Sequence, residues 1–109
     1  MIQQSIFMHA KKLVADSSVP PHLVGFTFLS EAVVMKTEKE SVKLFEIYNT
    51  IAQKYNSNHS AVTRSISYAI SQADNLREYL ALNKNETTFN GRIISTLALR
   101  LKLNYPYSN

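Results

Sequence analysis

Apolar side chains in this 109-residue chain recur every three or four residues, and this spacing restricts the fold more than any other feature. A helix turns once per 3.6 residues, whereas a strand alternates its faces every two residues, so the spacing indicates helices and gives little support for strands. The chain has only 2 glycines and 3 prolines, which also favours helices over a turn-rich β architecture. We therefore predict an all-α fold, a compact bundle of about six helices.

The pattern places four of these helices at residues 2–15, about 22–36, about 41–48 and about 91–103, and a short one after residue 73. Each has an apolar set that we expect to face the core. In chain order these sets are Ile2, Ile6, Ala10, Leu13 and Val14; Phe28, Leu29, Ala32 and Val33; Val42, Leu44, Phe45 and Ile47; Leu76, Tyr79 and Leu80; and Ile93, Ile94, Leu97, Ala98 and Leu101. Asn49 is a candidate cap after the third helix, Asp74 or Asn75 starts the short one, and residues 83–91 are predicted to be a loop.

Residues 48–73 predict two short amphipathic helices joined by a tight polar turn. The turn is Asn56-Ser57-Asn58, made of residues that favour turns and helix N-caps. The second helix, 59–73, has an apolar stripe of Val62, Ile66, Ala69, Ile70 and Ala73, and an opposite face of Ala61, Arg64, Ser67, Tyr68 and Ser71 with Thr63 at its margin. This layout, over about 49–73, is typical of a helix-turn-helix whose second helix lies in the DNA major groove, although many surface helices share it.

The charge distribution favours an anionic partner but does not require one. The formal net charge is +4 and the sequence pI is about 9.4, as in many nucleic-acid-binding domains. No acidic residue follows Glu86, whereas Arg92, Arg100 and Lys102 do. Residues 58–73 contain a single charge, Arg64, which is sparse for a helix that binds DNA.

Several classes of function find no support in the sequence. The absence of cysteine excludes disulfides and thiolate metal sites, and the spacing of His9, His22 and His59 fits no metal-ligand motif. We predict no metal and no cofactor, and a capping or buried, hydrogen-bonded role for His22. No catalytic constellation is present, so we expect a non-enzyme. No membrane span or secretion signal is present, so we expect a cytoplasmic, nucleoid-associated protein without membrane contact.

Three blocks of the sequence, in this order, carry a family resemblance. They are Val19–Phe26 (VPPHLVGF), Tyr48–Asn56 (YNTIAQKYN) and Ser60–Ile70 (SAVTRSISYAI). They resemble Val-Pro-Ala-His-Ile-Lys-Gly-Tyr, Tyr-Pro-Asp-Ile-Ala-Lys-Lys-Phe-Asn and Ser-Arg-Val-Glu-Arg-Ala-Ile-Arg-His-Ala-Ile of the C-terminal effector domain of the stage-zero sporulation response regulator family. The resemblance implies a helical DNA-binding domain of about six helices, with the DNA-binding pair in the middle, that pairs on tandem DNA sites.

The resemblance also implies which residues contact bases. It places Arg64 on a base-contacting arginine of the family, where a guanidinium can form two hydrogen bonds to guanine. The neighbours depart from the family: Thr63 replaces a glutamate, Ala61 and Ser67 replace arginines, and Tyr68 replaces a histidine. Either the protein recognises a different site through Thr63, Ser67 and Tyr68, or it binds DNA weakly and acts through another protein.

The predicted contacts to the DNA backbone lie at the start of the second helix. Asn58 is expected to cap that helix, whose N-terminus can hold a phosphate, and His59, Ser60 and Lys54 are candidates for further phosphate contacts. We expect residues 1–109 to form a single domain that acts as a sequence-specific transcription regulator, stand-alone and without a receiver domain, with double-stranded DNA and a homodimer as partners. The alternative is a non-catalytic interaction protein that modulates a related regulator or RNA polymerase.

Overall fold

The computed structural model describes residues 2–73 and 90–104, with side chains from residue 6 onward in the first range. Within these ranges the chain forms five α-helices and no strand, which confirms the all-α prediction for this part of the chain. The helices are α1 (Ile2–Asp16), α2 (Val24–Glu38), α3 (Leu44–Lys54), α4 (His59–Ser71) and α5 (Asn90–Asn104).

The second helix, α2, is the centre of the bundle, because it packs against all four of the other helices. Most of the predicted apolar faces are buried as expected. The buried members are Ile6, Ala10 and Val14 of α1; Phe28, Leu29, Ala32 and Val33 of α2; Val62, Ile66, Ala69 and Ile70 of α4 with Ala73 after it; and Ile93, Ile94, Leu97, Ala98 and Leu101 of α5. Burial of these side chains on one side of each helix leaves the opposite faces to solvent and fixes which face α4 exposes.

The crossing of α2 and α4 depends on Gly25. A Cβ atom at this position would lie 2.0 Å from the carbonyl oxygen of Ser65 and 2.7 Å from the Cβ of Ala69. Only a residue without a side chain allows the two helix backbones to approach this closely. The glycine of the block Val19–Phe26 therefore has a structural role, which is to seat α4 against the central helix.

Two details of the helix prediction are wrong. The segments predicted as a helix over about 41–48 and a separate one after Asn49 form a single helix, α3, so Asn49 lies inside a helix and caps nothing. Phe45, which we expected to face the core, is 65% exposed, although Val42 and Ile47 are buried. The count of six helices is not confirmed, and the predicted short helix beginning at Asp74 or Asn75 lies outside the described residues.

Candidate nucleic-acid interface

The connection between α3 and α4 is built from main-chain hydrogen bonds and one side-chain cap. Asn56 adopts a left-handed backbone conformation with φ of 55°, and the amide of Ser57 donates to the carbonyl oxygen of Ala52 over 2.7 Å. This arrangement ends α3, and asparagine is among the few residues that tolerate it. The amide of Ala61 then donates to Oδ1 of Asn58 over 2.9 Å, so Asn58 caps α4 as predicted. The turn sequence therefore sets the angle at which α4 leaves α3.

The solvent-facing side of α4 holds the residues predicted to contact DNA. Ser60, Arg64 and Ser67 are exposed, and Tyr68 is 57% exposed. Thr63 lies at the margin and is half-buried. Within the described ranges no hydrogen bond or ion pair engages the Arg64 guanidinium. The structure thus brings these side chains onto one accessible surface.

The segment that contains α4 carries no negative charge in its own sequence. Residues 47–73 contain no aspartate or glutamate, so all of α4 and most of α3 carry no carboxylate. A carboxylate of α2, Glu31, contacts the end of α3: it lies 2.6 Å from Nζ of Lys54 and accepts from the Tyr55 hydroxyl over 2.5 Å. Burial, together with this hydrogen bond and the negative charge of Glu31, raises the pKa of Tyr55 to about 12. The Lys54 ammonium, a predicted phosphate contact, is therefore already paired.

His59 is held against α3 by three contacts. Its Nδ1 lies 3.2 Å from Oδ1 of Asn49, its ring meets Tyr48 edge-on at 5.1 Å between centroids, and it lies 5.2 Å from the ring of Phe45. These contacts leave His59 half-buried at the first turn of α4. These contacts hold the ring in a fixed orientation at the N-terminus of α4.

The hydroxyl groups of α4 differ in what they bond to. Thr63 Oγ1 donates to the carbonyl oxygen of His59 over 2.9 Å, and Ser71 Oγ donates to that of Tyr68 over 2.6 Å. Ser67 Oγ instead accepts from Nδ2 of Asn90, the first residue of α5, over 2.9 Å. Sequence reasoning missed Asn90, since the predicted loop 83–91 contained it and its partners are distant in the chain.

Three further expectations concern His22, metal binding and membrane contact. We expected a capping or a buried, hydrogen-bonded role for His22; the residue is exposed, so the buried alternative is wrong. Within residues 2–73 and 90–104 no group of three or more histidine or acidic side chains could hold a metal ion. None of the described helices has the length and apolar character to cross a membrane.

Comparison with known families bears directly on this surface. The family model "Sporulation initiation factor Spo0A C terminal" matches residues 10–101 of the 109-residue chain. The chain belongs to this family. Spo0A C-terminal domains are DNA-binding effector domains that regulate transcription. The resemblance predicted from the three sequence blocks is therefore confirmed.

The Spo0A C-terminal match covers the whole candidate interface. It includes all of α2, α3 and α4, the turn between α3 and α4, and Asn90 at the start of α5. Gly25 and its contact with α4 also lie inside it. The surface described above is thus part of the family domain and not an addition to it.

Proposed function

We propose that this protein is a sequence-specific DNA-binding transcription regulator that places α4 in the major groove. In this proposal α3, the turn and α4 form the helix-turn-helix of a single domain, and DNA binding associates the protein with the nucleoid. The observation that carries the proposal is the exposed face of α4. That face presents Arg64 without an ion pair among the described residues, in a segment free of carboxylates. No carboxylate of residues 47–73 therefore opposes the approach of a negatively charged duplex to this face.

The base contacts are assigned by side-chain chemistry. Arg64 has a planar guanidinium that can donate two hydrogen bonds to O6 and N7 of one guanine, a contact that contributes about 1–3 kcal/mol of discrimination. Tyr68, one turn further on the exposed side, offers a hydroxyl group and an aromatic face. Thr63 and Ser67 flank Arg64 with shorter polar groups. We assign all four to base recognition, with Arg64 as the principal contact.

The backbone contacts are assigned to the turn and the start of α4. Oδ1 of Asn58 is occupied by the Ala61 amide, which leaves the side-chain NH2 of Asn58 to donate to a phosphate. The amides of His59 and Ser60 lie in the first turn of α4, where the helix dipole favours an anion. Lys54 contributes less than an unpaired lysine would, because a phosphate must compete with Glu31 for its ammonium.

A binding experiment tests this proposal. Duplexes selected by the wild-type protein from a randomised pool are labelled, and affinity is measured by fluorescence anisotropy at two salt concentrations. We expect Arg64→Ala to weaken binding to the selected duplex tenfold or more, since it removes a bidentate base contact. Lys12→Ala removes the same charge from an exposed position on α1 and serves as the matched control. It should lower the affinity for the selected duplex much less. Equal losses for the two variants would mean that Arg64 acts only through its charge.

A second candidate function is favoured by one observation. Residues 58–73 contain a single charge, which is sparse for a helix that binds DNA. This observation favours an interaction protein that modulates a related regulator or RNA polymerase and binds little DNA itself. If the wild-type protein enriches no sequence and shows no affinity at physiological salt, while it retains purified RNA polymerase or a related regulator, this alternative is supported. The number of protein copies bound per selected duplex, measured by sedimentation, tests the homodimer on tandem sites.

A further inference from the structure

Asn90 joins the start of α5 to the candidate interface through one amide group. Its Nδ2 lies 2.9 Å from Ser67 Oγ, 3.1 Å from the Tyr48 hydroxyl oxygen and 3.4 Å from the carbonyl oxygen of Thr63. The two hydroxyl groups can donate or accept, but a main-chain carbonyl oxygen can only accept. The contact with Thr63 therefore requires the nitrogen of the Asn90 amide on this side. The two N–H groups of Asn90 donate to the two hydroxyl oxygens at 2.9 and 3.1 Å, and one of them is shared with the Thr63 carbonyl oxygen at 3.4 Å.

This direction of donation determines what Ser67 can offer to a ligand. Because Ser67 Oγ accepts from Asn90, its own hydrogen is left to point elsewhere. The usual internal acceptor for a helical serine is the carbonyl oxygen four residues back. At Ser67 that is the oxygen of Thr63, whose two lone pairs are engaged by the helix amide of Ser67 and by Asn90. Thr63 itself differs, since its hydroxyl hydrogen goes to the carbonyl oxygen of His59.

The position of Ser67 allows its hydroxyl hydrogen to be donated to a ligand at the exposed face of α4. It is exposed, and it lies three residues after Arg64 and therefore next to it on the same side of α4. A hydroxyl that accepts one hydrogen bond becomes a better donor in the next, because the bonds polarise one another. Asn90 thus prepares Ser67 as a donor at the exposed surface.

We propose that Asn90 is a positioning residue for DNA specificity: it holds Ser67 as a hydrogen-bond donor toward an acceptor atom on a base edge beside the base contacted by Arg64. The acceptor atoms in the major groove are O6 and N7 of guanine, N7 of adenine and O4 of thymine, whereas the cytosine amino group is a donor and is disfavoured. This inference rests on the proposed function, since it assumes that α4 lies in the major groove.

Selection from a randomised duplex pool, followed by anisotropy with single-base variants of the selected site, tests the inference. We expect Asn90→Ala to reduce discrimination against cytosine at one position by roughly fivefold, the ratio that corresponds to one ordinary hydrogen bond. The preference at the position set by Arg64 should remain. Asn90→Asp introduces a carboxylate, which can only accept, so Ser67 would turn its hydrogen inward and the same preference should be lost.

A double-mutant cycle separates this role from a merely structural one. Ser67→Ala should abolish the same base preference, and adding Asn90→Ala to it should change that preference no further. Ser71→Ala is the matched control, because the hydrogen of Ser71 is bonded to the Tyr68 carbonyl oxygen, and it should leave the preference intact. Circular dichroism establishes that each variant is folded.

The outcomes distinguish this inference from the proposed function. If the wild-type protein enriches a sequence, but Asn90→Ala and Asn90→Asp keep the full preference at every position, the inference is wrong and the proposed function stands. If Asn90→Ala changes the preference equally with and without Ser67, its effect does not pass through Ser67 and the inference is again wrong. If the wild-type protein enriches no sequence at all, the proposed function itself fails.

Discussion

The substitution Gly25→Ala should destabilise the protein by forcing α2 away from α4. The added Cβ would lie 2.0 Å from the carbonyl oxygen of Ser65, about 1.4 Å inside ordinary van der Waals contact. The neighbour is main-chain oxygen inside a helix, so it cannot rotate aside as a side chain would. The helices must separate, and the apolar contacts between them must be lost.

The magnitude follows from two opposed effects. Overpacking of a close contact costs about 1–3 kcal/mol and occasionally more, and a clash with backbone belongs at the upper end. The higher helix propensity of alanine relative to glycine offsets up to about 1 kcal/mol of this loss in stability. We expect a net loss of about 2 kcal/mol in the free energy of unfolding, which lowers the urea midpoint by about 1 M for an m-value near 2 kcal/mol/M.

The chain contains a matched control for this experiment. Gly91 is the second residue of α5, just as Gly25 is the second residue of α2. Among the described residues, however, a Cβ at Gly91 would meet only the Cδ2 methyl group of Leu44, at 3.3 Å. Urea unfolding followed by circular dichroism should therefore show Gly91→Ala within about 1 kcal/mol of the wild type. Equal midpoints for the two variants would refute the close crossing of α2 and α4.

Three further predictions concern the turn between α3 and α4. Asn58→Ala should lower the free energy of unfolding by about 1 kcal/mol, because it removes the N-cap of α4, and an unchanged urea midpoint would contradict this. Glu31→Gln should free Lys54 and steepen the salt dependence of DNA affinity, by up to about 0.9 in log K against log salt; an unchanged slope would show that Lys54 contacts no phosphate. The pKa of Tyr55 is raised from 10.0 to about 12 in the folded protein, so the fold favours the neutral phenol. The stabilisation from the neutral Tyr55 phenol is complete below pH 10 and is lost as the pH rises toward 12. The urea midpoint of Tyr55→Phe should therefore decline less than that of the wild type between these pH values.

Periodicity predicted the helices well where one face of the helix is buried. All five apolar residues assigned to the stripe of α4 are buried, and Arg64 is exposed opposite them. The turn was equally accessible to prediction, because Asn56 and Asn58 act through their own neighbouring backbone groups. Features whose causes lie within a few residues are those that the sequence pattern predicts.

The errors and omissions concern contacts between distant residues. Asn49 has the chemistry of a cap, but its side chain contacts the His59 ring ten residues later and the helix continues through it. Phe45 continues the apolar pattern of α3, yet it lies at the surface beside the same ring. Asn90 reaches partners 23 to 42 residues away. No local pattern encodes such contacts, since they depend on how the helices pack.

The central claim is that the exposed face of α4 contacts DNA, and an NMR titration tests it most directly. The 15N-labelled protein is titrated with a duplex selected from the randomised pool, and amide shift changes are mapped onto the structure. We predict the largest changes between Asn58 and Ser71, centred on Arg64, with smaller ones at Lys54. Changes confined to α1 and to the outer face of α5, with α4 unaffected, would contradict the account.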